Sequence, residues 1–401
     1  MVAKHKWLMI FAVYFITVSV FPQSILAEEP NIESESAVLI DGKTGQILYE
    51  KNSSQEMYPA SITKILTAIL AIESGNLNEP VKVSSRAREV DGTRVYLAEG
   101  ETVPLEKLVK GMMINSGNDA AVAIAEHLSG SVEAFAAEMN AFAKNELNLQ
   151  DSHFTNPHGL FNENHVTTAK DMAKITQYAM RNEEYRSIAG LKEMNWEGEE
   201  WDTTLINHHR LLLDYDYVTG GKNGYVSKSG FTLVTSASKD DRELIAVTMK
   251  AKNNNIAYQD TLALLNYGFN EFSPVMYEEG TEIDTLDDTN YTLSKDMTLL
   301  TNSDGEPELS VTKEGVMESN IGSITSILDS SLLASKSLKD DSSTKVEEVA
   351  SVKKADEKNA SNNEWLNVAI LLIGIGMFIF ILLALFFSKR SSSNRKSRTF
   401  P

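Results

Sequence analysis

Three short strings in a fixed order constrain this chain more than any other feature, because they must meet in one pocket if they act together. They are Ser-Ile-Thr-Lys at 61–64, Ser-Gly-Asn at 116–118 and Lys-Asn-Gly at 222–224. The first spacing alone carries little information, since it recurs at Ser236/Lys239, Ser310/Lys313, Ser342/Lys345, Ser351/Lys354 and Ser393/Lys396. The order of the strings, and not any one of them, is therefore the evidence for a common site.

The first string places a hydroxyl and an amine on one face of a predicted helix. Ser61 follows Pro59 and opens an apolar-periodic segment, and Lys64 lies one turn further on. A serine hydroxyl is a weak nucleophile, and a neighbouring amine with a lowered pKa can take its proton. The helix N-terminus adds positive potential where an oxyanion would form. A capping serine and a surface lysine are the ordinary alternative for such a spacing.

The other two strings supply the polar groups that such a nucleophile would need. Ser116 could relay protons and Asn118 could hold a substrate amide, from a predicted loop between two helices. Lys222 follows a glycine-rich approach and precedes a strand-forming run, so it could set the electrostatics of the cleft. Taken singly, the second string is an ordinary turn and the lysine a solvated residue at a sheet edge.

Apolar segments near both ends predict an exported protein held at the cell membrane. Residues 1–27 combine Lys4 and Lys6 with an apolar stretch and a small exit residue, as a secretory signal peptide does; an uncleaved anchor is the alternative. Residues 365–387 are apolar and long enough to cross a bilayer. The basic tail, 388–401, predicts a cytoplasmic side. We therefore expect a single-pass protein anchored in the membrane through its C-terminal helix, with the main domain on the extracytoplasmic side.

Charge and composition exclude several classes of function. The net charge is −19 and both ends of the chain are basic, so nucleic acid is not expected as a partner of the acidic central region. The chain has no cysteine, which excludes thiol chemistry. His153, His158 and His165 fall in one predicted loop region, and no histidines show the spacing of a metal site. We therefore expect no metal and no cofactor, and we interpret these histidines as polar loop residues.

Mixed periodicities predict an α/β main domain of the α+β type over residues 28–274, with an antiparallel sheet flanked by helices. Residues 275–320 form short alternating segments rich in Thr, Glu and Asp, which predict a small C-terminal β module. Residues 321–364 are rich in Ser, Lys, Asp and Glu, which predicts a disordered, flexible stalk before the membrane helix.

The chain resembles the low-molecular-mass penicillin-binding proteins, the D-alanyl-D-alanine carboxypeptidases of the S11 peptidase type. The likeness extends beyond the three strings to the segments 36–68, 112–131, 156–175 and 209–238. It implies a serine β-lactamase/DD-peptidase-like fold, peptidoglycan stem peptides as substrates and β-lactams as covalent inhibitors. It also implies a hydrolase that forms an acyl-enzyme on Ser61 and releases the terminal D-alanine.

The resemblance further assigns roles to single residues. It implies Ser61 as the nucleophile, Lys64 as the proton acceptor and Ser116 as a relay. Substrate contacts are implied for Asn118, Lys222, Asn223, Gly224, Tyr225 and Arg210. Arg210 falls where the family has an arginine that binds the substrate carboxylate. The backbone N–H groups of Ser61 and Tyr225 are implied as the oxyanion hole.

One departure from the family pattern concerns the third string. The family usually has Lys-Thr-Gly, then any residue, then Thr, whereas this chain has Asn223 and Val226 at the threonine positions. Two hydroxyls that would help to bind the terminal carboxylate are missing, although the Asn223 amide can still donate a hydrogen bond. A catalytically impaired homologue that binds or regulates peptidoglycan peptides is therefore an alternative.

Two other enzyme classes fit the sequence less well. A class A β-lactamase would share the first string, but it needs a glutamate to activate the deacylating water. Glu183 and Glu184 fall in a helix-like segment and do not supply one. A zinc peptidase would need histidines at ligand spacing, which the sequence lacks.

Overall fold

The computed structural model of the chain describes residues 29–285, 290–303 and 305–336. The predicted signal peptide, membrane helix and basic tail all lie outside these residues. Within the part of the chain that is described, no helix is both long enough and apolar enough to span a bilayer.

A five-stranded antiparallel sheet lies at the centre of the main domain. The strands of this domain are β1 (Ser36–Asp41), β2 (Ile47–Lys51), β3 (Pro80–Lys82), β4 (Thr102–Pro104), β5 (Glu193–Glu197), β6 (Asp202–Ile206), β7 (Val218–Val226), β8 (Gly230–Lys239) and β9 (Arg242–Ala251). The central sheet has the order β2, β1, β9, β8, β7. Asp240 and Asp241 link β8 to β9 with φ values of 52° and 59°, the positive values that a tight hairpin turn requires. β7, which carries the third string, is an edge strand of this sheet.

Helices cover both faces of the central sheet. They are α1 (Lys64–Glu73), α2 (Ser85–Glu89), α3 (Leu105–Ile114), α4 (Asn118–Ser129), α5 (Val132–Asn145), α6 (Ala169–Met180), α7 (Glu183–Ala189), α8 (Arg210–Asp214) and α9 (Asn254–Glu271). In α1, residues 64–72 are all buried, because this helix is apolar on every face except for Lys64 and Thr67. It packs with α3, α4, α5 and α6 in one core, and α9 covers the opposite face of the sheet. The burial of α1 holds the first string at the centre of the domain.

The chain after α9 forms further strands with a core of their own. They are β10 (Ser273–Tyr277), β11 (Glu282–Thr285), β12 (Asn290–Leu293), β13 (Met297–Thr301), β14 (Glu308–Val311), β15 (Met317–Ile321), β16 (Ile324–Ile327) and β17 (Leu333–Lys336). β10 pairs with β13, and the others form a sheet in the order β16, β15, β14, β11, β12, β17. The side chain of Gln46 links these strands to the main domain through two hydrogen bonds with the Leu300 backbone, at 2.8 and 2.7 Å.

The predicted boundary between the β module and the flexible stalk, after residue 320, is wrong. The sheet continues to Lys336. Ile321 is buried against the core of the main domain, and Leu328 is buried in the core of the later strands. The average composition of 321–364 is polar, but that average hides several apolar residues at the start of the segment, which are enough to complete the sheet. The rest of the predicted stalk lies outside the described residues.

Candidate active site

Ser61 lies in a 3₁₀ turn, Ala60–Thr63, that runs directly into α1. Ala60 has a φ of 52°, and such a left-handed conformation costs a non-glycine residue about 1–3 kcal/mol. Two neighbours hold the turn in place. Thr63 Oγ1 donates to the Ala60 carbonyl at 2.8 Å, and Gly159 packs so closely that a Cβ there would lie 1.8 Å from that carbonyl oxygen. These contacts fix the Ser61 hydroxyl at the start of α1.

His165 supports the same turn from the protein interior. Its Nδ1 accepts a hydrogen bond from Thr155 N at 2.9 Å, so the ring proton is on Nε2, which donates to Thr63 Oγ1 at 2.9 Å. Burial lowers the pKa of His165 to about 3, so the ring stays neutral. An oriented chain of hydrogen bonds therefore runs from Thr155 through His165 and Thr63 to the strained Ala60.

Lys64 is fully buried, and three oxygen atoms surround its side-chain nitrogen. Nζ lies 3.0 Å from Ser61 Oγ, 2.7 Å from Asn118 Oδ1 and 2.7 Å from the His158 carbonyl oxygen. Burial lowers the pKa of Lys64 well below its usual range, and the positive charge of Lys222 lowers it further. Because the charged form is the one that burial penalises, the neutral amine beside Ser61 is stabilised.

The second string forms the loop between α3 and α4, with Ser116 at a φ of 62°. Asn118 begins α4, and both ends of its amide have protein partners: Oδ1 accepts from Lys64, and Nδ2 donates to the Asp91 carbonyl at 2.7 Å. The side chain of Asn118 therefore positions Lys64. Its predicted contact with a substrate amide stays a prediction.

Asp119, the next residue, is a buried carboxylate that the sequence reasoning missed. Its oxygens accept from the backbone N–H groups of Val95, at 3.0 Å, and Leu97, at 3.2 Å. Burial raises its pKa, although these hydrogen bonds act in the opposite direction. The carboxylate holds residues 91–97 against the start of α4 and so fixes the position of Asn118.

β7 brings the third string against the nucleophile. A Cβ at Gly224 would lie 2.6 Å from Ser61 N, so only glycine fits there. Thr232 on β8 donates to the Pro59 carbonyl at 2.8 Å and ties the sheet to the Ser61 turn. Lys222 is 2% exposed, and burial lowers its pKa to about 7.

The side chains beside Lys222 define the open side of the cleft. Lys222 Nζ donates to the Asn223 carbonyl at 3.1 Å and lies 3.4 Å from Asn223 Oδ1. The ring of Tyr225 is 55% exposed and lies against Phe231, with 4.5 Å between the ring centroids. The backbone N–H of Val226 donates to Ser229 Oγ at 3.0 Å. Asn223 and Val226 therefore occupy the two threonine positions of the family pattern without a side-chain hydroxyl.

Arg210 contacts α9. It begins α8, and its guanidinium donates to Asn255 Oδ1 at 3.2 Å and lies 5.1 Å from the ring centroid of Tyr258. Among the described residues, no hydrogen bond joins Arg210 to the three strings. The structure therefore gathers Ser61, Lys64, Asn118, Lys222 and Gly224, and the side chain of Arg210 contacts α9.

His158 and His165 lie in the predicted loop region but are buried, at 8% and 2% exposed, and His209 is also buried, at 0%. His209 lies under β7, where its Nε2 donates to the Val234 carbonyl at 3.1 Å, and burial lowers its pKa to about 4. For His158, the Asn-Pro-His-Gly turn at 156–159 was the sequence signal that could have indicated burial, because such a turn can pack tightly. Within the described ranges, no group of three His, Asp or Glu side chains could hold a metal ion.

Comparison with known sequences gives one family. The profile of the peptidase S11 family, described as D-alanyl-D-alanine carboxypeptidase, matches residues 23–253. D-alanyl-D-alanine carboxypeptidase DacF of Bacillus subtilis is 36% identical over 249 residues, which are 60% of this chain and 63% of DacF. DacD of Salmonella typhimurium, which has the same descriptive name, is 34% identical over 266 residues, 63% of this chain and 67% of DacD. The match thus spans about two thirds or less of the length of these relatives.

Solved structures give the same fold. Penicillin binding protein 6B from Escherichia coli has a TM-score of 0.62 at 28% identity, and the alignment covers 76% of this chain and 98% of that one. The DacD structure from Francisella tularensis has a TM-score of 0.65 at 21% identity, with 79% and 100% covered, which is a likeness of fold alone. With more than half of its residues matching the family profile and the three strings gathered around Ser61, the chain belongs to the peptidase S11 family of D-alanyl-D-alanine carboxypeptidases.

Proposed function

We propose that this protein is a serine-type D-alanyl-D-alanine carboxypeptidase that removes the terminal D-alanine from peptidoglycan stem peptides. One observation carries the proposal: Lys64 Nζ lies 3.0 Å from Ser61 Oγ, in a buried site that lowers the pKa of the lysine. The names of DacF and DacD, both D-alanyl-D-alanine carboxypeptidases, support the same reaction.

The three partners of Lys64 determine the direction of proton transfer. Asn118 Oδ1 and the His158 carbonyl can only accept hydrogen bonds. A neutral amine has two N–H groups and one lone pair, so it donates to these two oxygens and directs its lone pair at the third partner, Ser61 Oγ. The neutral Lys64 is thus oriented as the base that takes the Ser61 proton.

Acylation follows from this arrangement. Ser61 Oγ attacks the carbonyl carbon of the penultimate D-alanine, and its proton passes to Lys64. The backbone N–H groups of Ser61 and Tyr225 receive the oxyanion, a role that the close approach of Gly224 to Ser61 supports. The C–N bond to the terminal D-alanine then breaks, and the leaving amine takes the proton from Lys64 through the Ser116 hydroxyl.

Hydrolysis completes the cycle. Water attacks the Ser61 ester, Lys64 takes a proton from that water, and Ser61 Oγ leaves with the proton returned to it. Lys222 provides positive charge for the terminal carboxylate during binding. β-Lactams, which carry a reactive amide and a carboxylate, would acylate Ser61 by the same first step.

Labelling with a fluorescent β-lactam, followed by mass spectrometry of the modified peptide, tests the acylation step. We expect one adduct on Ser61 of the full chain, and none on the Ser61→Ala variant. Incubation with a disaccharide-pentapeptide tests turnover, with the loss of one alanine as the expected product. A correctly folded protein that forms no adduct would overturn the enzymatic proposal.

Asn223 and Val226 favour a second candidate function. Without the two threonine hydroxyls, the site could retain stem peptides but turn them over too slowly to act as an enzyme. This impaired homologue would bind the pentapeptide and release almost no D-alanine. Measurable turnover in the same mass-spectrometric experiment excludes it.

We further propose that the protein is exported and anchored in the cell membrane through residues 365–387, with the main domain on the extracytoplasmic side. The apolar character of this segment and the basic tail after it support the proposal. Fractionation of cells that express the full chain, compared with a chain ending at residue 364, tests it. The full chain should sediment with membranes and the shortened chain should not, and equal distribution would contradict the anchor.

A further inference from the structure

A pocket of about 560 Å³ lies between the start of β8 and the first turns of α9. Its lining has no ionisable side chain and consists of Phe231, Asn253, Asn254, Asn255, Ile256 and Gln259. Phe231 pairs with Tyr225 of β7 on one side and with Ala251 of β9 on the other. This amide pocket therefore adjoins the strand that carries the third string.

The edge position of β7 determines how a stem peptide would approach the amide pocket. An extended peptide can add to an edge strand as a further strand. The terminal carboxylate would face Lys222, and the scissile carbonyl would lie at Gly224 and Tyr225, next to Ser61. The part of the substrate before the scissile bond therefore runs past Val226, toward the turn between β7 and β8.

The exposed ring of Tyr225 connects this path to the amide pocket. It lies against Phe231, 4.5 Å away between ring centroids, and Phe231 forms part of the pocket wall. Four extended residues before the scissile bond span about 13 Å, at about 3.3 Å per residue. Phe231 is on β8, so its backbone lies two strand spacings, about 10 Å, from a strand added to the edge of β7. This distance is shorter than the four residues, so the group attached to the start of the stem peptide can reach the pocket by turning across the end of β7.

The lining of the pocket suits an uncharged ligand rich in amide and hydroxyl groups. The side chains of Asn254 and Gln259 make no hydrogen bond to any other residue that the structure describes. Asn255 uses its Oδ1 to accept from Arg210, so its two amide N–H donors are available. Amide groups can both donate and accept, and an aromatic ring offers an apolar face for the C–H side of a sugar.

We propose that the amide pocket binds an N-acetylated sugar of the glycan to which the stem peptide is attached. The enzyme then acts on glycan-linked stem peptides in preference to free ones. This inference rests on the proposed function for the path of the peptide along β7, and it adds the part of the substrate that the pocket recognises.

Binding to the full chain with Ser61→Ala tests the inference without turnover. The two probes are a disaccharide-pentapeptide and the free pentapeptide, and their Kd values are measured by calorimetry with and without Asn254→Ala and Gln259→Ala. A neutral hydrogen bond corresponds to about 3- to 10-fold in affinity, so the double change should weaken disaccharide-pentapeptide binding by about 10-fold or more. Binding of the free pentapeptide should stay unchanged. Both affinities should also stay unchanged after the control change Gln150→Ala, which alters an exposed amide outside the lining of the pocket.

A competition experiment tests whether the pocket binds the sugar or the peptide backbone. The disaccharide without peptide should compete with the disaccharide-pentapeptide and not with the free pentapeptide. Equal losses for both probes, no loss for either, or the absence of such competition would each overturn the inference. Failure of the proposed function is a different result, because it would appear as absent D-alanine release by the unaltered chain while this difference in binding persists.

Discussion

The two sides of the active-site cleft differ in how fully their polar groups are paired. On the nucleophile side, Lys64 has three oxygen partners and Thr63 links His165 to the strained Ala60. On the β7 side, Lys222 Nζ makes hydrogen bonds only to its neighbour Asn223 within the described residues. The acylating groups are thus held before any substrate arrives, whereas Lys222, although buried, has fewer hydrogen-bond partners to hold it.

This difference indicates that acylation and carboxylate recognition are separable in this protein. The nucleophile side depends on contacts between segments distant in sequence, so that any single change disturbs several partners. In the third string, Lys222 is buried and only glycine fits at 224. Asn223 and Val226, in contrast, are partly exposed side chains of an edge strand and can change with less effect on the core. The departures from the family pattern at Asn223 and Val226 fall on the side where such changes are tolerated.

The largest effect is expected from Lys64→Met, which keeps the length of the side chain and removes the amine. A general base contributes about 10²- to 10⁴-fold, so the rate of β-lactam adduct formation should fall by about that factor. Stopped-flow measurement of adduct formation checks it, with Lys82→Met, an exposed lysine on β3, as the matched control. Unchanged labelling of a folded Lys64→Met protein would remove Lys64 from the mechanism.

A smaller effect in the opposite direction is expected from Asn223→Thr combined with Val226→Thr. The two hydroxyls restore contacts to a charged ligand, each of which is worth about 1.5–3 kcal/mol. The ratio kcat/KM for D-alanine release from the pentapeptide should therefore rise by about 10-fold or more for each hydroxyl that makes its contact. A pentapeptide with a C-terminal carboxamide is the control, and an equal gain on that substrate would show that the change does not act through the carboxylate.

The lowered pKa values of Lys222 and Lys64 predict that a rise in pH weakens substrate binding and speeds acylation. Lys222 has a pKa of about 7, so it is charged below that pH and loses its attraction for the substrate carboxylate above it. KM for the pentapeptide should therefore rise by up to about 10-fold per pH unit above about pH 7. Lys64 must be neutral to act, so the acylation rate should rise with pH through its lowered pKa.

The Lys222→Arg variant separates the effect of pH on KM from its effect on the acylation rate, because arginine stays charged across the accessible pH range. The rise in KM above neutral pH should disappear in this variant, while the rise in acylation rate due to Lys64 remains. Steady-state kinetics at pH 6 to about 9 measure both. An unchanged KM profile in Lys222→Arg would assign the titration to another group.

Local spacing predicted the part of the site that lies within one helical turn. Ser61 and Lys64 are three residues apart at the start of a helix, and their atoms meet because α1 begins there. The sequence placed Lys222 ahead of a strand-forming run, which is wrong, because β7 begins at Val218 and contains the whole third string.

Contacts between distant segments could not be predicted in the same way. His165 and Asp119 act through partners that only the packing of loops against helices brings near, and nothing in their local sequence specifies those partners. The placement of Arg210 beside Asn255 depends likewise on the docking of α8 on α9. The length of the β module was mispredicted because composition was averaged across its true end.

The smallest effects are expected from the removal of one hydroxyl on each side of the cleft. Thr63→Val keeps the shape of a buried side chain and leaves both His165 Nε2 and the Ala60 carbonyl without their partner. Ser229→Ala removes the hydroxyl that bonds to the backbone at Val226 and Gly230. Each change should lower the free energy of unfolding by about 1–3 kcal/mol, the cost of an unpaired buried polar group.

The acylation rate should distinguish the two variants even where their stabilities agree. Thr63→Val loosens the turn that holds Ser61 and should slow β-lactam adduct formation several-fold, measured well below the unfolding transition in urea. Ser229→Ala alters only the turn between β7 and β8 and should leave that rate unchanged. If both variants slowed acylation equally, the nucleophile side and the β7 side would form one coupled unit, and the separation of acylation from carboxylate recognition would be wrong.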